Sequence, residues 1–154
     1  MTPALALKLA LAAAFLSACG GEPEPPPVAT EPGPLMRPGW NCLASGCHFP
    51  DGRAPPPDWG AGGTIYERFD AQAHQGIEGV AVTLRDARGI EVRLLTNAAG
   101  NFYTAEPLEG PIDVTLERAG RTIKMPTPAP AGSCNFCHAQ PPIPEGPAGR
   151  IYAP

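Results

Sequence analysis

The sequence predicts an all-β protein: a small antiparallel β-sandwich flanked by irregular arms rich in proline and glycine. Three observations lead there. Apolar and polar residues alternate in short runs between residues 62 and 126. Turn-forming residues separate those runs at short intervals. Pro, at 22, and Gly, at 18, make up about a quarter of the 154 residues, which argues for linkers and tight turns over helices.

The elements follow in order. Thr64 to Glu67 reads as a short first strand. Val80, Val82 and Leu84 alternate with Ala81, Thr83 and Arg85, and Ile90, Val92 and Leu94 with Glu91 and Arg93. Phe102 and Tyr103 form a short middle strand. Ile112, Val114 and Leu116 alternate with Asp113, Thr115 and Glu117, and Thr122 to Met125 closes the set. A period of two puts the apolar side chains of each run on one face. Turns are expected at Asp86-Ala87-Arg88-Gly89, at Thr96 to Asn101 and at Arg118-Ala119-Gly120-Arg121. About seven short strands at this spacing make a sandwich.

The pieces Gly63-Thr64-Ile65-Tyr66, Gly76 to Leu84 and Thr96 to Tyr103 resemble the carboxypeptidase regulatory-like, transthyretin-type β-sandwich. The second piece is similar to its G-x-x-V-x-L strand and the third to its T-[DN]-x-x-G-x-F turn. The resemblance covers about 65 residues and implies a fold without specifying a function.

The chemistry lies outside this stretch. Cys134-Asn135-Phe136-Cys137-His138 is the C-x-x-C-H signature of covalent c-type haem attachment. Cys42-Leu43-Ala44-Ser45-Gly46-Cys47-His48 is the same motif with two more residues between the cysteines. Two thiols must reach two vinyl groups on one porphyrin edge, and the next residue must set an imidazole under the iron. Cys42, Cys47, Cys134 and Cys137 are therefore candidate attachment residues for two haem c groups, with His48 and His138 as iron ligands. Two disulfides, or one zinc ion, are the competing readings. Neither needs a His directly after the second Cys of both pairs.

Each iron has a sixth position. His74 is the one remaining histidine and the leading candidate; Met125 and Met36 are the others. A second histidine would favour a low potential and a methionine would raise it. Trp40, Phe49, Trp59 and Phe136 lie in or near the clusters and are candidates to pack on porphyrin faces.

Residues 1–18 read as a secretory signal: one charge at Lys8, a short apolar core, then Leu16-Ser17-Ala18-Cys19. That ending resembles a bacterial lipobox, which implies lipidation of Cys19 and a membrane anchor. Gly20, in place of an Asp, implies sorting to the outer membrane, facing the periplasm or the cell surface. Residues 19–39, with seven prolines and three glutamates after Cys19, form a tether that would reach about 60 Å if fully polyproline-like. Residues 40–61 and 127–154 are then the two haem-binding arms, one on each side of the sandwich at 62–126.

The net charge of -4 and the lack of a long basic run argue against nucleic acid as a partner. No phosphate loop, nucleophile elbow or zinc-protease motif is present. The expectation is an electron carrier in the cell envelope that meets redox partner proteins. A disulfide-stapled spacer or binding module is the second reading, and a haem peroxidase the third.

Overall fold

Among the described residues, seven strands form two sheets, as the alternation requires. In chain order they are β1 (Ala61–Tyr66), β2 (Ala81–Arg85), β3 (Glu91–Leu95), β4 (Asn101–Thr104), β5 (Asp113–Arg118), β6 (Arg121–Lys124) and β7 (Ile151–Tyr152). One helical turn, α1 (Cys134–Cys137), precedes β7. The computed structural model describes residues 33–45, 47–49, 58–144 and 146–154. The signal segment, Cys19 and Pro55 to Pro57 lie outside the described residues.

The larger sheet has the order β3-β2-β5-β6 and is antiparallel throughout. Its inner face carries the residues the period of two picks out: Val80, Val82, Leu84, Ile112, Val114 and Leu116 are all buried. β5 and β6 are joined by a two-residue turn with Ala119 and Gly120 at positive φ, and Arg118 pairs with Arg121. Two positive φ values suit the right-handed twist of a hairpin. At the β2–β3 turn the buried Asp86 carboxylate accepts from the N–H groups of Arg88, Ile90 and Glu109. An aspartate at a turn start does this readily.

The smaller sheet has the order β4-β1-β7. β1 is buried at every position. Ile65 faces the core with Phe102 from β4, while Thr64 and Tyr66 are covered on the other side by Gly39 at the end of the tether. A strand covered on both faces loses its alternation, so the sequence shows only its second half as a strand.

Two features depart from the expected outline. The last seven residues of the tether, 33–39, are docked on the sandwich: Asn97 donates to the Pro34 carbonyl at 2.7 Å, and Asn101 to the Met36 carbonyl at 3.1 Å. The C-terminal arm returns to supply β7, parallel to β1 through Ile65–Ile151 and Tyr66–Tyr152. Arg150 seals that junction. Its Nε donates to the Ala71 carbonyl at 2.9 Å, and its guanidinium lies 4.6 Å from the Tyr66 ring centre.

Candidate haem-attachment site

Both cysteine clusters converge on β1. The reason is local: Gly62 and Gly63 have no side chains, so other groups come close from both faces of the strand. A Cβ at Gly62 would lie 3.4 Å from Cys42 Cβ, and one at Gly63 would lie 2.9 Å from Cys134 Cβ. The sequence places the arms at opposite ends of the sandwich segment. The fold places them on neighbouring residues of one strand.

The second cluster is built as a single helical turn on the open edge of β1. Gly62 donates to the Gly132 carbonyl at 3.0 Å, which starts the ladder on that edge. The next N–H on the edge, that of Thr64, is taken by the Asn135 side chain at 3.1 Å. Cys134 and Cys137 stand three residues apart on that turn, a spacing that puts both on one side of a helix. The sequence reading expected no helix at this motif, and one turn is all that forms. His138 caps it, its N–H donating to the Cys134 carbonyl at 3.1 Å.

The first cluster closes with the same bond. His48 N–H donates to the Cys42 carbonyl at 3.0 Å. The two extra residues are absorbed between them by turns from Asn41 to Ala44 and from Ala44 to Cys47. The expanded motif thus returns its histidine to its first cysteine, as the compact one does.

In each cluster the inner imidazole nitrogen is Nδ1. His138 Nδ1 lies 3.1 Å from the Gly149 carbonyl, a contact that makes it the protonated nitrogen and leaves Nε2 the acceptor. Burial holds the His138 imidazole below its ordinary pKa despite that carbonyl. His48 Nδ1 is buried without a partner among the described residues. Its ring stacks on Trp59 at 3.6 Å, and Trp59 stacks on Tyr103 at 4.2 Å, all three nearly parallel. Burial lowers the His48 pKa as well. Both rings are therefore neutral near pH 7, the form that binds metal.

The four thiols are unpaired. Burial pushes Cys134 up to about 12 and Cys42 to about 11, so each setting accommodates a neutral sulfur. Among the described residues no three His, Cys, Asp or Glu side chains meet in a set that would hold a bare metal ion.

The surroundings of the clusters differ. Beside Cys134, Cys137 and His138 lies an apolar groove of about 550 Å³, within the range of cofactor pockets. Val114, Leu116, Met125 and Phe136 line it. The cleft beside Cys42, Cys47 and His48 holds only about 40 Å³ and is lined by Met36, Trp40 and Trp59 among others. The donors of the first cluster suit a haem, but the cleft does not enclose one. The second cluster has both donors and room.

The candidate sixth ligands separate accordingly. Met125 lines the large groove with His138, and Met36 lines the small cleft with His48. His74, half-buried in the loop after β1, lines neither. Of the aromatic residues, Trp40 at 59%, Phe136 at 58% and Phe49 at 49% exposure are left out of the core and open to a ligand face.

Asn135 was not singled out by the sequence, and no periodicity marks a lone polar residue inside the motif. It is 4% exposed, and its amide also donates to the Trp40 carbonyl at 2.9 Å and Thr64 Oγ1 at 3.1 Å. Ser133 adds a 2.6 Å bond to Asn41. The two arms are tied to each other as well as to β1. Asn135→Ala strands the buried Thr64 N–H. It is expected to cost about 2–3 kcal/mol, read as a lower urea midpoint of the apoprotein. An unchanged midpoint would deny Asn135 this role.

Comparison of the chain with protein-family models, with curated proteins and with solved structures gave no match in any of the three.

Proposed function

We propose that this chain is a c-type haem protein that carries electrons in the cell envelope, with one haem in the groove at Cys134, Cys137 and His138 and a second, called for by the motif at Cys42, Cys47 and His48, held outside the small cleft there. One observation carries the reading. Two motifs of different length close with the same bond, histidine N–H to the carbonyl of the first cysteine. Disulfides and zinc give no reason for that repetition.

Bound haem would supply a one-electron iron couple. The chain's own residues do the rest. Cys134 and Cys137 would hold the porphyrin edge by thioethers, and Cys42 and Cys47 would do so at the other cluster. Gly149 keeps the His138 proton on Nδ1, so Nε2 would be the nitrogen that holds an iron. Val114, Leu116 and Phe136 exclude water from the groove. The sandwich, with its resemblance to regulatory-like spacer modules, serves as the rigid support.

Met125 is proposed as the sixth ligand in the groove in place of His74, because Met125 shares that cavity and His74 does not. Met125→Ala is expected to shift the visible spectrum of the ferric protein and lower its midpoint potential, with His74→Ala leaving both unchanged. The opposite result would return the role to His74.

The lipid anchor at Cys19, in the outer membrane by its sorting residue, is part of the same proposal. Cys19→Ala is expected to move the protein from the membrane to the soluble fraction. Sedimentation with membranes at high salt would count against lipidation. The general test is colour: protein produced with the c-type maturation machinery should be red and keep its haem after denaturation. A colourless product would sink the reading.

A further inference from the structure

We infer that residues 33–39 are a strap that keeps the first cysteine cluster shut, and that lifting this strap about Gly39 exposes the thiols of Cys42 and Cys47 while the sandwich stays folded. The inference goes beyond the haem reading and concerns the chain with no group bound.

The cleft beside Cys42 and Cys47 has two kinds of wall. Asn101, Phe102 and Tyr103 line it from β4, and Phe102 is fixed in the core at 2% exposure. Gly33, Pro34, Met36 and Arg37 line it from the strap. With the strap in place the cleft measures about 40 Å³, well below the volume of a cofactor pocket. The strap is the wall that can give.

Its hold on the sandwich is light. Among the described residues, three side chains hydrogen-bond it there. Asn97 donates to the Pro34 carbonyl at 2.7 Å, Asn101 donates to the Met36 carbonyl at 3.1 Å, and Thr64 Oγ1 accepts from Gly39 N–H at 2.8 Å. Met36 N–H turns back to the Gly33 carbonyl at 3.1 Å and adds nothing to the sheets. Pro38 is buried, Met36 and Gly39 are half-buried, and Gly33, Pro34, Leu35 and Arg37 are exposed. A segment with so few buried apolar contacts opens at a small fraction of the global stability.

The closed form also stores strain. Arg37 has a φ of 45° directly before Pro38. That region disfavours a residue with a side chain, and a residue before proline prefers extended backbone. Lifting the strap frees Arg37 to relax. The hinge is defined from the other side: Asn135 holds the Trp40 carbonyl at 2.9 Å and Ser133 holds Asn41 at 2.6 Å, so the chain is pinned from residue 40 onward. Gly39, at φ 80°, is the last residue before the pin. A Cβ there would run into Arg150 Nη1 and Tyr66 Oη, so the closed seat needs glycine. The clusters thus differ in access. The second stands beside an open groove at rest, and the first waits for the strap.

The test is alkylation by iodoacetamide of the full chain, reduced and made without the maturation machinery, with the rate at each cysteine read by peptide mass spectrometry. Asn97→Asp keeps the oxygen that accepts from Ala99 and Asn101 N–H and removes the donor to Pro34. Gly39→Ala blocks the seat. Each should speed Cys42 and Cys47 about three- to tenfold, the gain in open fraction from losing one ordinary hydrogen bond, and leave Cys134 and Cys137 unchanged. Unchanged rates at Cys42 and Cys47 in both variants overturn the strap. If a variant unfolds, so that all four thiols react alike, hydrogen exchange of the parent decides. Gly39 N–H should exchange faster than the N–H groups of β2, and protection equal to theirs overturns the inference. None of these outcomes bears on the haem reading, which colour decides.

Discussion

Protein carrying Cys137→Ser or His138→Ala is expected to lose the haem of the groove and keep the other, so covalent haem per chain falls from two to one. Cys47→Ser and His48→Ala should do the reverse. The expectation rests on each cluster having two thiols, an imidazole and a methionine lining the same cavity. Haem content, measured on denatured protein, reads the result directly. Variants of the first cluster that keep two haems would show that Cys42-Cys47-His48 is no attachment site. The groove variant has a second consequence. With no porphyrin to cover it, the exposed Phe136 on the groove stays in water, so the stability of that variant should fall toward that of the apoprotein.

The second large effect is expected from Gly63→Val. A Cβ at Gly63 would lie 2.8 Å from Phe102 Cζ and 2.9 Å from Cys134 Cβ. Phe102 is 2% exposed in the core, and Cys134 is held by the turn on the edge of β1. Neither can move without loss elsewhere, so overpacking should cost about 3 kcal/mol. For a domain of this size the melting temperature would fall by roughly 10–20 °C. Gly62→Val is the control. Its nearest neighbours, Trp59, Cys42 and Leu43 at 3.3–3.4 Å, are arm side chains, so its effect on stability should be smaller. Equal losses for the two would mean that the two faces of β1 are equally rigid.

How far the fold was legible depended on burial on one face or two. β2 and β5 have one face in the core, and their alternation named Val82, Leu84, Val114 and Leu116 correctly as inward. β3 alternates as well, but the fold leaves Val92 and Leu94 only half-buried and Leu95 at 68% exposure. β1 has no alternation to read, because its outer face is covered by residues about 25 positions upstream. β7 is two residues long, too short for any periodicity to mark it. The cysteines and histidines of the site were legible because their spacing is itself chemical. Their meeting on one strand was not, since it depends on Asn135, Ser133 and Arg150, whose partners lie 71 to 95 residues away in the chain. His74 drew attention by its side-chain type alone, and only the cavities distinguish it from Met125.

The pairing of β1 also bears on how the chain reaches this state. One edge of β1 is met by β4, about 40 residues later. The other waits for Ser133 and then for Ile151 and Tyr152, some 70 to 90 residues later. Such long-range closure is slow compared with local hairpins such as β5–β6. During that interval β1 has an open edge that a second chain could pair with. The segment that ends the wait is the one bearing Cys134 and Cys137. The sandwich and the second cysteine cluster are thus set to finish together, and a chain arrested before that point is the form most exposed to aggregation.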